Sequence, residues 1–591
     1  MLLTIATILG LSSLGFSAIH GSIDDIPSIN WDFIIVGGGT AGSVLANRLT
    51  ENPKFNVLVI EAGPTNEGAT DSIVPGLEFG TARSRFDWNF TTTPQKGLGG
   101  RSFNYQRGHM LGGSSSVNAM FYTRGTISDF DRFASVTQDD GWSWNSIQPY
   151  ISRSEKFQAP ADNHDTQGEF DPAVHNFTGK VAVTLPGLLH PPVDSATLQA
   201  SKELGGEFAF NLDMNSGTPL GLGWLQSTIG HDGTRSSAAT SYLDAQTQTR
   251  QNLHIVTDTR VTRVLKTSDN QAKGLTIRTV EIRSPDSSAT TLLTASKEVI
   301  LSAGSILTPH ILLHSGIGDQ NDLKALGIPT LLHNPSVGQN ITDHPFFGTS
   351  FNIVPNSIDL GPWANLSLDP TLQAEALNLW NTNRTGPYVA LLGSDHVAWV
   401  RLPDDSPIFE QFPDPSAGPH SAHIEMVPGG AAGSYSIGIN IVSPASRGSL
   451  KIQSNNPFDD PLIDLGIFNS DVDLFTAREG VKAAMRFVKA PVWEGIIAGI
   501  QAPFSDTMTD AEIEGVLRNM TMSALHSVST AAMSPKNASW GVVDPDLLVK
   551  GISGLRIVDA SIMPYVPCAH TQTPVYIIAE RASDLIKAAW S

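Results

Sequence analysis

Cysteine is almost absent: Cys568 stands alone among 591 residues, so no disulfide can form within the chain. Packing and hydrogen bonds must therefore hold the fold. Basic residues are also scarce, 37 Lys and Arg against 57 Asp and Glu, for a formal charge of −20. That field repels a polyanion at long range and argues against nucleic acid as a partner. Charged residues make up only 16% beside 40% hydrophobic ones, a balance that suits a compact globular protein rather than a disordered chain. Beyond residue 18 no apolar run approaches the roughly 20 residues needed to span a bilayer, so no membrane span is expected. HExxH and clustered Cys/His spacings are missing, so no metal is expected either.

What is present begins at the N-terminus. Leu2 to Phe16 is an uncharged apolar run followed by the small residues Ser17 and Ala18, the pattern of a secretory signal over residues 1–18. Seven N-x-S/T sequons, at Asn89, Asn176, Asn340, Asn365, Asn383, Asn519 and Asn537, agree with export, because glycans need exposed acceptors. The expectation is a freely soluble, secreted, extracellular glycoprotein. A chain of this length exceeds what one core supports, so at least two lobes are expected.

The first of them is readable after residue 31. Phe33 to Val36 is an apolar strand, Gly37-Gly38-Gly39-Thr40-Ala41-Gly42 a glycine turn, and Val44 to Leu49 has helical spacing. Asn56 to Ile60 forms a second strand that ends at Glu61. This βαβ unit binds dinucleotides by a known logic. Gly37 makes the tight turn, Gly39 lets backbone approach a pyrophosphate, and Gly42 allows the helix to pack on the strand. The helix N-terminus, with Thr40 and Ala41, offers free N–H groups and partial positive charge to an anion. Glu61 can accept both ribose hydroxyls. The motif alone does not separate FAD from NAD. Paired strands are expected within Leu253 to Leu265, and further apolar strands at Glu298 to Ser302 and Leu555 to Val558, the last ending at Asp559. Sheet-forming pieces thus span the whole chain, so the nucleotide domain is expected to be discontinuous. Proline- and glycine-rich stretches at Pro403 to Pro419 and Pro428 to Gly433 read as loops.

Longer motifs make the choice of cofactor. Arg107-Gly108-His109-Met110-Leu111-Gly112-Gly113-Ser114-Ser115-Ser116-Val117-Asn118 resembles the first signature of the glucose-methanol-choline (GMC) oxidoreductases, and Gly304 to Pro309 with Ser315 to Gly318 resembles the second. Val337 to Asn340 followed by Asp343-His344, and Leu555 to Ser561, extend the likeness over essentially everything after residue 30. Within the family the chain is most similar to fungal aryl-alcohol oxidases and pyranose dehydrogenases, through Phe86 to Asn89, Ser539 to Asp546 and Ala569 to Gln572. The resemblance implies an α/β fold, a discontinuous Rossmann-like FAD-binding domain interleaved with an α+β substrate domain built on a mixed sheet. The expected segments are 30–130, 232–345 and 536–591 for the first domain, and 131–231 and 346–535 for the second. Gly112, Gly113, Ser114, Asn118, Asp559 and Ala560 are implied to touch FAD, and Val261 to meet the adenine through its backbone. The position where some relatives bond a histidine to the flavin is Val117 here, so FAD is expected to be non-covalent.

Alcohol oxidation needs a base for the hydroxyl proton and an acceptor for hydride, and histidine suits the first task near neutral pH. Among 16 histidines, His526 and His570 match the family's two active-site positions. The resemblance implies that His526 is the base and that His570 holds the substrate oxygen. Phe90, Leu525 and Tyr565 are expected to contact substrate. The expected activity is oxidation of primary aryl or related alcohols, with O2 or a quinone taking the electrons. The alternatives are a pyranose or oligosaccharide dehydrogenase and, in another class, a flavin-containing hydroxynitrile lyase.

Overall fold

The computed structural model describes residues 18–267, 274–283, 289–391, 393 and 395–590. The expected signal segment lies outside them except for Ala18, which is buried and whose carbonyl accepts the Ile255 N–H at 2.7 Å. Among the described residues no helix is long and apolar enough to cross a membrane.

Two sheets organise the chain. The first has six strands in the order Ile19–His20, Leu253–Val256, Val57–Ile60, Phe33–Val36, Glu298–Leu301, Leu555–Ile557, and every pairing is parallel. Its four central strands are buried at every residue, as a parallel sheet covered on both faces requires. Helix Thr40–Leu49 packs with the C-terminal helix Gln572–Trp590, and Arg48 grips the buried Glu580 with two nitrogens at 2.8 to 3.0 Å. The sheet starts earlier than residue 30, because the two-residue strand Ile19–His20 is too short to carry a pattern.

The second sheet has seven strands, in the order Ile497–Ile500, Pro345–Ile353, Ser434–Ile441, Ile424–Ala431, His396–Val400, Gly221–Trp224, with Met522–Ser523 paired to the start of Pro345–Ile353. All its pairings are antiparallel, so it is not the mixed sheet expected from the sequence. Side-chain alternation reports which face is buried and carries no information on strand direction. Two further readings change. Leu253–Val256 and Val261–Lys266 are not partners: the first is parallel to Val57–Ile60, and the second pairs antiparallel with Leu275–Arg283 in a separate sheet. Pro428 to Ala431 is the end of a strand that turns back at Ala432 and Gly433, not a loop. One hydrophobic core runs continuously from the parallel sheet into the antiparallel one.

Candidate active site

The carboxyl ends of four parallel strands converge on one place. Gly37, Glu61, Ser302 and Asp559 each follow a strand of that sheet within two residues, and all four line a chamber of about 660 Å3. This is where a doubly wound sheet binds its ligand. The opposite wall comes from the antiparallel sheet, through Phe346, Val427, Gly429, Ser436 and Asn440.

The parallel-sheet half is shaped for a dinucleotide. A Cβ on Gly42 would lie 1.9 Å from the Gly37 carbonyl oxygen, so only glycine lets the helix close on the turn. Gly113 sits at φ +54° against the turn, and a Cβ there would fall 2.8 Å from the Gly39 Cα. Glu61 accepts the N–H groups of Gly38 and Gly63, both at 2.8 Å, which holds its carboxylate at the strand end. Burial pushes its pKa up to about 7 against the pull of those N–H groups. Asp559 accepts the Gly304 N–H at 2.9 Å and the Thr308 hydroxyl at 2.6 Å, tying the start of helix Gly304–His314 to the sheet. Thr40, Ala41, Gly39, Ser114, Asn118, Val261 and Ala560 line the chamber, whereas Gly42 and Gly112 stand behind it and set the turns. Asn118 is held by Gln572 and, at 2.8 Å, by Arg235. Cβ-free backbone faces the helix N-terminus, with an acid one strand away, and this cradle fits FAD.

The histidines are brought together by sheet register. Pro345 pairs with Ser523, which places Asp343-His344 beside Ala524-Leu525-His526. The Ala524 N–H then bonds to the His344 carbonyl at 2.9 Å, and Leu525 takes φ +66° to turn the next residue into the chamber. His526 Nδ1 lies 3.0 Å from His344 Nδ1. His570, in the loop before helix Gln572–Trp590, donates its backbone N–H to the Thr123 hydroxyl at 2.7 Å. The rings of His526 and His570 are 4.6 Å apart, edge to face at 77°, and both line the chamber. Phe121 stacks on His570 at 4.5 Å.

Three partners of these rings carry no role in the sequence reading. Glu425, on strand Ile424–Ala431, accepts from His570 Nε2 at 2.9 Å and is buried. Its one visible signal is a carboxylate inside an otherwise apolar strand. His344 is buried, and burial brings its pKa down to about 3, so it is neutral. Its Nε2 is buried without a hydrogen-bond partner, and its Nδ1 shares one hydrogen bond with His526 Nδ1, in which one ring donates and the other accepts. In the arrangement where His526 donates from Nδ1, its Nε2 lone pair is left to take a proton. Arg107 donates to the Leu525 carbonyl beside it. Burial is the main cause that drives the His526 pKa well below the usual imidazole value, and the Arg107 guanidinium adds to it.

Among the expected substrate contacts, Leu525 and Phe90 line the chamber, although Phe90 is only 1% exposed and stacks on Trp88 at 5.7 Å. Tyr565 does not line it. Its ring is covered by the guanidinium groups of Arg132, 4.2 Å away, and Arg447, 5.6 Å away, a packing role that its motif does not reveal.

A strand-end dinucleotide cradle facing two imidazoles defines a flavin-dependent oxidoreductase that acts on CH–OH groups. The chain belongs to the GMC oxidoreductase family, whose models match residues 31–346 and 444–579. It is 42% identical to pyranose dehydrogenase 3 of Leucoagaricus meleagris, over 98% of this chain and 97% of that one. It is 38% identical to dehydrogenase eriK of Hericium erinaceus, over 99% and 98%. Among solved structures, an FAD-dependent oxidoreductase from Chaetomium thermophilum superposes with a TM-score of 0.86 at 30% identity, covering 95% of this chain and 99% of that one. A fungal aryl-alcohol oxidase superposes with a TM-score of 0.82 at 26% identity, covering 95% and 99%. The relatives favour the sugar-oxidising alternative over the aryl-alcohol expectation.

Proposed function

We propose that this protein is a sugar dehydrogenase that oxidises a ring hydroxyl of a pyranose or short oligosaccharide. The observation that carries the reading is the pair of imidazoles 4.6 Å apart, one kept neutral, on the wall of a chamber beside an FAD cradle. Bound FAD supplies the hydride acceptor. His526 Nε2 takes the hydroxyl proton, because an alkoxide releases hydride from its carbon far more readily than a neutral alcohol does. His344, accepting at Nδ1 from His526 Nδ1, would hold the tautomer that leaves this nitrogen free. His570, anchored by Glu425, holds the same oxygen and shares its developing negative charge.

The identities of pyranose dehydrogenase 3 and its homologues support sugar as substrate. So does the wall itself, where Gly429, Gly430, Ser436 and Gly438 leave room for a saturated ring and its hydroxyls. Phe121 and Phe346, which also line the chamber, favour an aryl alcohol as the second reading. Val117, which lines the chamber, carries no nucleophile, and this supports FAD held without a covalent bond. Six of the seven sequon asparagines, all but the half-buried Asn176, are exposed, which supports glycosylation and export. A quinone or O2 reoxidises the flavin.

Anaerobic mixing with glucose, cello-oligosaccharides and anisyl alcohol tests the reading at the flavin absorption band. Bleaching is expected with the sugars and much more slowly with anisyl alcohol. The reverse order makes the protein an aryl-alcohol oxidoreductase. A flavin that stays oxidised while a cyanohydrin is cleaved makes it a lyase.

A further inference from the structure

Behind the substrate wall lies a second, much smaller cavity of about 10 Å3, room for one water or one bare ion. Gly393, Gly429 and Gly430 line both this cavity and the large chamber, so only backbone separates them. Its polar lining comes from two places in the fold. His190 and Asp194 are the N-cap and the first turn of helix Pro191–Leu204, and Asp395 and His396 stand at the start of strand His396–Val400.

One donor atom each from His190, Asp194 and Asp395 lies within 4.8 Å of the others. His190 Nδ1 and Asp395 Oδ2 are 2.8 Å apart. Asp194 uses Oδ2 to accept the His190 N–H at 2.6 Å, and its Oδ1 faces His396 Nδ1 at 3.6 Å. Two atoms here have no partner although their residues are more than nine-tenths buried: Asp395 Oδ1, on a residue 5% exposed, and His396 Nε2, on one 2% exposed. A buried polar atom without a partner is costly, and two of them beside a cavity of one-atom size call for an occupant. Two carboxylates in one buried place also repel each other. A cation between them removes that repulsion and leaves both ionised.

We propose that His190, Asp194 and Asp395 form a structural site for a divalent transition-metal cation, with His396 adjacent as a fourth donor. Donors bonded at about 2.1 Å sit roughly 3 to 3.5 Å apart, so the side chains need close by only about 1 Å around the ion. An imidazole with two carboxylates suits Zn2+ or Mn2+ and disfavours Ca2+, which takes six to eight oxygens. The ion would clamp helix Pro191–Leu204 to the strand carrying His396 and stiffen the Gly429–Gly430 wall that substrate meets. The inference does not depend on which alcohol is oxidised.

The test uses the purified flavoprotein after dialysis against a chelator, titrated calorimetrically with Zn2+ and assayed for metal after gel filtration. One equivalent per chain is expected, with a rise in Tm at saturation. Asp395→Asn and His190→Gln are each expected to weaken binding at least tenfold while flavin absorbance stays at the wild-type level. Anomalous scattering at the zinc edge in crystals of the wild type locates the ion without any variant. No bound equivalent, or density elsewhere, overturns the site and leaves Asp194 and Asp395 as a pair of acids sharing one proton.

Discussion

Asp343 positions His526 without touching its ring: Oδ1 of the buried carboxylate accepts the backbone N–H of His526 at 2.8 Å. The same oxygen accepts the N–H of His344 at 2.8 Å, while Oδ2 takes the Ser523 hydroxyl at 2.6 Å and the Tyr105 hydroxyl. One carboxylate therefore locks the two segments whose imidazoles meet, and the side chains above it are left to do the chemistry.

Replacement of the base is the most direct test. His526→Ala is expected to slow flavin reduction by about 100- to 10,000-fold, the usual contribution of a positioned base. Flavin content should not change, since His526 lies apart from the nucleotide turn. Anaerobic stopped-flow at the flavin band reads the rate, and a loss below fivefold removes the histidine from the mechanism.

The anchor of the second imidazole should matter by misplacement. Glu425→Gln keeps a carbonyl near His570 Nε2 but loses the charge, and a fall of up to about 100-fold in kcat is expected. Glu425→Asp should recover part of it. A variant with unchanged kcat and pH profile would show that the carboxylate only fills space.

Acidification should weaken the fold through the buried imidazoles. His344 and His310, each at about 3, and His396 at about 4 are all depressed first by burial. Below pH 6.5 the unfolded chain binds protons that the folded chain refuses, so stability falls as pH drops from 6.5 towards 3 to 4. Each group adds roughly 1.4 kcal/mol per pH unit to the slope. Denaturant titrations at pH 6.5, 5.5 and 4.5 should show it, and His344→Phe should reduce the slope by about one proton.

Flavin attachment is open to a simple assay. Acid precipitation is expected to release all FAD into the supernatant, since no nucleophile stands at Val117. Yellow colour retained in the pellet would reveal a bond from another residue. Gly113→Ala, which adds a Cβ 2.8 Å from Gly39, should yield protein with little or no flavin.

Features that depend on a few neighbouring residues are legible in the sequence alone. Phe33 to Glu61 declares its strand, turn and helix because the glycines, the apolar alternation and the terminal acid lie within one short segment. Contacts set by register between distant segments left no such trace. His344 and His526 are 182 residues apart, and their meeting follows from the pairing of Pro345 with Ser523. Glu425 and His570, 145 residues apart, were equally silent. Tyr565 misled for the opposite reason: an aromatic side chain next to site motifs is read as a substrate contact until the two arginines covering it are seen. Strand direction in the second sheet lies beyond any one-dimensional pattern.

The last strand of the parallel sheet, Leu555–Ile557, and both active-site histidines belong to the final 70 residues or so of the chain. The flavin cradle thus stays open on one side during synthesis until Leu555–Ile557 has been made and can close its edge. Capture of the cofactor must wait for that strand, and a chain cut just before Leu555 would lose the cradle edge and His570 together while keeping His526.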